Sequence, residues 1–214
     1  MNSSINTIIW DWNGTLLNDI NICLQAMNLL LTERKLPLLD EKRYKAIFTF
    51  PVKEYYQQIG FDFTKEPFEK PALEFIENYH KFLPEAQLFS EVIPTLEKFK
   101  SLKKKQMVLS AMEEKSLTQS ISHLKISKYF SKIAGITDHF AKSKIERGIK
   151  LLADENINSN ECVLIGDTIH DKEVAKELGC KCILIANGHQ SINRLQIDGN
   201  VVLNNLSELI NRFQ

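Results

Sequence analysis

An apolar run, Ile8-Ile9-Trp10, stops at Asp11 and passes into Trp12-Asn13-Gly14-Thr15-Leu16. The pattern reads as a buried strand that delivers a carboxylate into a turn. Open α/β sheets bind ligands at such strand ends, because the loops there leave the sheet and open a crevice. The question for the rest of the chain is what it brings to Asp11.

After Leu16 the period changes from strand to helix, with Ile20, Cys23, Leu24, Met27, Leu30 and Leu31 at three- and four-residue spacing. This helix is expected to run to about Lys35. Asp40-Glu41 opens a second helix, Lys53 to Ile59 forms a third closed by Gly60, and Phe68 to Leu83 forms a fourth ending before Pro84. No strand is predicted in this stretch. A wholly helical segment after the first strand reads as an inserted cap, residues 17–84, between the two parts of a core, residues 1–16 and 85–214.

From Phe89 the α/β rhythm returns. A helix from Val92 to Lys104 leads to the short strand Met107-Val108-Leu109, which ends at Ser110. Helix Lys115 to Leu124, a strand near Ile133 to Ile136 and helix Ile145 to Glu155 follow, and then strand Glu161 to Ile165 ends in Gly166-Asp167-Thr168-Ile169-His170-Asp171. Helix Asp171 to Leu178, strands Cys182 to Ile185 and Val201 to Leu203, and a last helix complete the pattern. Strands alternating with helices predict an α/β fold with a parallel sheet and right-handed crossovers.

Composition narrows the function. Lys plus Arg and Asp plus Glu both number 27, so the formal net charge is zero and nothing electrostatic points to nucleic acid or an anionic membrane. The amino terminus lacks the basic and apolar segments of a signal peptide, and no run of about 18 apolar residues could span a bilayer, which predicts a cytoplasmic protein. Cys23, Cys162, Cys180 and Cys182 lack paired metal-site spacing and read as reduced core thiols.

If the strands ending in Asp11, Ser110 and Asp167 are neighbours, three carboxylates and a hydroxyl converge, Asp171 being one helical turn beyond Asp167. Clustered oxygen ligands suit Mg²⁺, which keeps several waters and usually binds a substrate phosphate as well. The alternative is that Asp167 and Asp171 cap a helix.

Asp11-Trp12-Asn13-Gly14-Thr15-Leu16, Ser110, a lysine before the helix at Ile145, and Gly166-Asp167 with Asp171 resemble the four ordered motifs of the haloacid dehalogenase superfamily. The resemblance implies a Rossmann-like core with an α-helical cap, similar to phosphoglycolate phosphatases. It implies that Asp11 is a nucleophile that takes the phosphoryl group as an aspartyl-phosphate. By the same resemblance Asp11, the backbone carbonyl of Asn13 and Asp167 hold Mg²⁺, with Asp171 as an outer-shell or direct partner, Thr15 and Ser110 bind phosphoryl oxygens, and a lysine neutralises charge. Lys144 is assigned that role, with Lys142 as the alternative. The implied partner is a small phosphorylated metabolite, and the oligomeric state is monomer or homodimer.

The chain departs from the family pattern at Asn13, where typical phosphatases carry a second Asp that moves the leaving-group proton. An amide cannot relay a proton, and positioned acid/base catalysis is worth about 10² to 10⁴ in rate. Asn13 predicts slow turnover or a leaving group that needs little protonation. Phosphonoacetaldehyde hydrolases also lack that Asp and use a cap lysine as a Schiff base, a role Lys53 could take here, with Phe50, Lys53, Tyr55 and Tyr56 selecting substrate. A phosphometabolite-binding module with weak catalysis is a further alternative. His170 and His189, near strand ends, are placed to touch substrate but are expected to be solvated loop residues.

Overall fold

A computed structural model of the chain describes residues 5–136, 143–197 and 199–213. Strand β1 (Thr7–Trp10) is followed by a two-residue strand β2 (Leu17–Asn18) and four helices, α1 (Ile20–Glu33), α2 (Glu41–Ile47), α3 (Val52–Gln58) and α4 (Glu69–Phe82). Strand β3 (Gln87–Leu88) and helix α5 (Val92–Ser101) lead into β4 (Lys105–Glu113), α6 (Glu114–His123), β5 (Lys132–Ile136) and α7 (Ser143–Asp154). The chain closes with β6 (Cys162–Gly166), α8 (Ile169–Glu177), β7 (Lys181–Ile185), α9 (Ile192–Leu195), β8 (Val202–Leu203) and α10 (Leu206–Ile210).

Six strands form one sheet in the order β5-β4-β1-β6-β7-β8, and every pairing is parallel. All four residues of β1 are buried, as a central parallel strand covered by helices on both faces requires. The pleat sorts its side chains: Ile8 and Trp10 join one apolar cluster with Val108 and Ile165, while Ile9 joins another with Met107, Leu109 and Leu164. The Trp10 indole N–H donates to Gln106 Oε1 at 3.1 Å, and the Gln106 amide donates to Leu96 O at 3.0 Å, so these buried polar groups are paired.

Three expectations are corrected. The segment read as wholly helical begins with β2, which pairs antiparallel with β3 and ties the two ends of the helical stretch together; two residues are too short to show a period. Strand β4 runs to Glu113, past Ser110, with a register shift against β5 between Leu109 and Glu113. Helix α5 ends at Ser101, because Lys103 takes a left-handed conformation (φ 55°) that turns the chain into β4.

Helices α1 to α4 are joined to the sheet by apolar packing: Met27, Leu30, Tyr44, Tyr55, Tyr56 and Tyr79 belong to the cluster that contains Trp10. At their outer edge Arg34 donates to Glu66 at 2.8 and 3.1 Å and to Glu74 at 2.6 Å, linking the end of α1 to α4.

Candidate active site

Parallel pairing sets Trp10 level with Val108 on one side and with Ile165 on the other. Asp11 therefore leaves the sheet beside Ser110, within β4, and Asp167, just past β6, and the three residues share one mouth. The Asp11 amide donates to Ile165 O at 2.8 Å, which holds β1 against β6 up to the turn.

Asp171 reaches this mouth from the first turn of α8, where it also completes a capping box with Thr168. Its Oδ2 accepts from the Thr168 amide at 3.0 Å and hydroxyl at 2.7 Å, so the helix-cap reading is correct for that oxygen. Its Oδ1 accepts from Lys144 Nζ at 2.6 Å. Lys144, buried in the first turn of α7, also donates to Asp11 Oδ1. One lysine thus bridges the candidate nucleophile and the α8 carboxylate.

Asp11, Asp167 and Asp171 offer oxygens that all lie within 4.8 Å of one another. Three buried carboxylates against one lysine leave excess negative charge in a low-dielectric pocket. Burial, opposed by Lys144 and reinforced by Asp171 and Asp167, pushes Asp11 up to about 8. Burial pushes Asp167 up to about 6 as well, whereas the Lys144 ion pair holds Asp171 below the usual carboxylate range despite its burial. Hard oxygen donors around surplus negative charge fit a hard divalent cation such as Mg²⁺.

The turn after Asp11 closes over these carboxylates. Gly14 has φ +71°, and a Cβ there would overlap the Asp167 carboxylate, so only glycine fits. Thr15 Oγ1 donates to Asp167 Oδ1 at 2.9 Å and lies 3.3 Å from Asp11 Oδ2. Ser110 Oγ lies 3.4 Å from Asn13 Oδ1 and accepts from the Met112 amide at 3.0 Å.

Asn13 itself is held by a partner that the sequence pattern did not reveal. Its amide nitrogen donates to Asp19 Oδ2 and to Tyr79 Oη, both at 2.8 Å. A carboxylate only accepts, so this contact fixes which end of the Asn13 amide faces Asp19. Asp19 is fully buried and also accepts from Tyr79 Oη at 2.7 Å and from the Gly14 amide at 3.0 Å. His189 Nε2 lies 3.3 Å from Asp19 Oδ1, and its Nδ1 lies 2.9 Å from Tyr44 Oη. Burial works against charging His189, but Asp19 outweighs it and raises the imidazole to about 9. Asp19 stays below the usual carboxylate range although burial opposes this, chiefly through His189.

Between the strand ends and helices α2 to α4 lies a cavity of about 560 Å³, reached by Asp11, Asn13, Ser110, Lys144, Asp167 and Asp171. Its far wall is largely aromatic, with Phe48, Phe50, Tyr55 and Phe75 among its residues.

A family description, haloacid dehalogenase-like hydrolase, matches residues 8–185, from the second residue of β1 to the end of β7. The chain belongs to this hydrolase family. The fold of a haloacid dehalogenase-like family hydrolase from Streptococcus pneumoniae superposes with a TM-score of 0.85 at 22% identity, over 100% of both chains. A predicted phosphatase from Clostridium acetobutylicum gives 0.80 at 21% identity over 98% of each chain. A predicted phosphoglycolate phosphatase from Haemophilus somnus gives 0.77 at 16% identity over 99% of each. No curated protein matches the sequence.

Within this hydrolase the predicted residues Asp11, Asn13, Thr15, Ser110, Lys144, Asp167 and Asp171 come together, whereas Lys53 does not. Lys53 is exposed on α3 with its ammonium 5.6 Å from the Phe63 ring centre, and it is not among the residues lining the cavity. Lys142 lies outside the described residues. His189 is buried rather than solvated, and His170 is partly buried, stacked on Phe50 with ring centres 4.7 Å apart. The residues that sequence reasoning missed are Asp19, Tyr44 and Tyr79. Asp19 stands directly before α1 and resembles an N-cap, yet its side chain makes no cap bond; a cap-position acid next to a phosphate-type turn was the available signal. The cysteines are free, and Cys23 Sγ lies 3.7 Å from Asp19 Oδ2. Among the described residues no helix is long and apolar enough to cross a membrane.

Proposed function

We propose that this protein is a Mg²⁺-dependent hydrolase of small phosphate monoesters that acts through an aspartyl-phosphate on Asp11. The observation that carries the reading is the meeting of Asp11, Ser110 and Asp167 from three adjacent strands with Lys144 bonded to Asp11. Residues 17–84 then serve as the cap over the reacting group.

When bound, Mg²⁺ would be held by Asp11, Asp167 and the Asn13 carbonyl, and it would neutralise charge on the transferring phosphoryl group. Asp171 has one oxygen in the helix cap and the other on Lys144, so it orients that lysine, and it would meet the metal as an outer-shell or direct partner. Lys144 favours the ionised form of Asp11 against its burial and aims it, then remains as a positive partner for the phosphoryl oxygens. Asp11 Oδ2 attacks phosphorus, the ester oxygen departs, and water releases phosphate from the acyl-phosphate in a second step. The hydroxyls of Ser110 and Thr15 supply donors for the phosphoryl oxygens.

Asn13 carries no proton to give. Alkoxide leaving groups therefore depart slowly, and phenoxide-like ones are favoured. The test is Mg²⁺-dependent phosphate release from phenyl phosphate, with chelator and Asp11→Asn as controls. Release that stops in both controls is expected; equal release from the Asp11→Asn variant refutes the reading.

A further inference from the structure

We infer that the substrate of this hydrolase is a phosphate ester whose organic group is aromatic and carries no second anion; the inference rests on the phosphatase reading above. The cavity wall opposite Asp11 is built from Phe48, Phe50, Tyr55, Phe68, Phe75 and Ile76. Among the described residues that line it there is no arginine, and Lys144 is its one lysine, already bound to Asp11 and Asp171. Its histidines are His189, committed to Asp19, His170, 3.2 Å from Glu173, and His80, which is exposed. Asp11, Asp19, Asp167, Asp171 and Glu113 line the same space.

A carboxylate on the organic side of the substrate would lose its water against aromatic walls and, among the described lining residues, meet no arginine and no lysine beyond Lys144. A ring, by contrast, meets other rings at the edge-to-face distances they already adopt: Phe48 and Tyr55 have centroids 5.4 Å apart at 70°, and Phe48 and Phe50 have centroids 5.4 Å apart at 77°. The cavity volume of about 560 Å³ is of the size that encloses a small organic ligand. Asn13 points the same way independently, since a phenolic oxygen leaves without the proton that an amide cannot provide.

The experiment separates binding preference from turnover. Calorimetric titration of the Mg²⁺-loaded protein with two unreactive phosphonates, benzylphosphonate and phosphonoacetate, compares a ring with a second anion on the same phosphoryl mimic. Benzylphosphonate is expected to bind at least about tenfold more tightly, the worth of burying much of a ring. Ile76→Arg, which places a cation on the half-buried α4 face of the cavity, is expected to narrow or reverse that ratio. Equal or tighter binding of phosphonoacetate by the unaltered protein, with phenyl phosphate hydrolysis intact, overturns the aromatic preference and leaves the phosphatase reading standing. Failure to hydrolyse any phosphate ester overturns both. The wild-type comparison decides the matter even if the variant does not fold.

Discussion

At the scale of single residues, the arrangement turns on Asn13. Its amide nitrogen is shared between Asp19 and Tyr79, so the residue that the family pattern would place there, an aspartate, would set a second carboxylate against Asp19. Two such carboxylates share one proton, and one pKa rises well above the ordinary range. The Asn13→Asp variant is thus expected to lose about 1.5 to 3 kcal/mol of stability, the worth of a hydrogen bond to a charged group. The sign follows from linkage: a carboxyl whose folded pKa is raised is tolerated at low pH and becomes costly as pH climbs above its unfolded value near 4. Urea unfolding at several pH values checks this; the deficit should shrink toward acid pH. Adding Asp19→Asn to the variant should restore stability and speed alkyl phosphates more than aryl ones.

At the scale of elements, the helices over the site are held by both apolar packing and one ion cluster. Arg34 has a side chain only 17% exposed and bridges Glu66 and Glu74, so removing it takes that partner from Glu74 and leaves Glu66 to Lys70. Arg34→Met is expected to cost about 1 to 3 kcal/mol in thermal or urea unfolding while leaving the KM for phenyl phosphate within about twofold, since Arg34 does not line the cavity. The sheet and the acids following β1 and β6 were legible in the sequence because parallel strands buried on both faces are continuous apolar runs, whereas the extension of β4 past Ser110 was not. Lys144 was pointed to by the family resemblance as the residue before a helix expected at Ile145, and the structure sets it in the first turn of that helix. The Asp19 and His189 pair was not: Asp19 looks like a helix cap and His189 like a loop residue, and only the fold brings positions so distant in the chain to 3.3 Å. Strands β2 and β3, with two residues each, carry no periodic signal at all.

At the scale of the whole molecule, the strand ends concentrate negative charge that the fold alone does not neutralise. Asp11 and Asp167, raised to about 8 and about 6, hold protons in the metal-free protein that a cation must displace. Mg²⁺ affinity is therefore expected to rise with pH between about 6 and 8, with proton release visible as a calorimetric heat that changes with the ionisation enthalpy of the buffer. Without the metal, the same raised pKa values make stability fall as pH rises through that window, and added Mg²⁺ should flatten the fall. The central claim, that Asp11 carries the phosphoryl group, is tested most directly by acid quenching during turnover of an ester radiolabelled in its phosphate. Label is expected on the protein when Mg²⁺ is present, to be discharged by hydroxylamine and to be missing from the Asp11→Asn variant. Steady release of phosphate with no protein-bound label, continuing in that variant, would contradict the account.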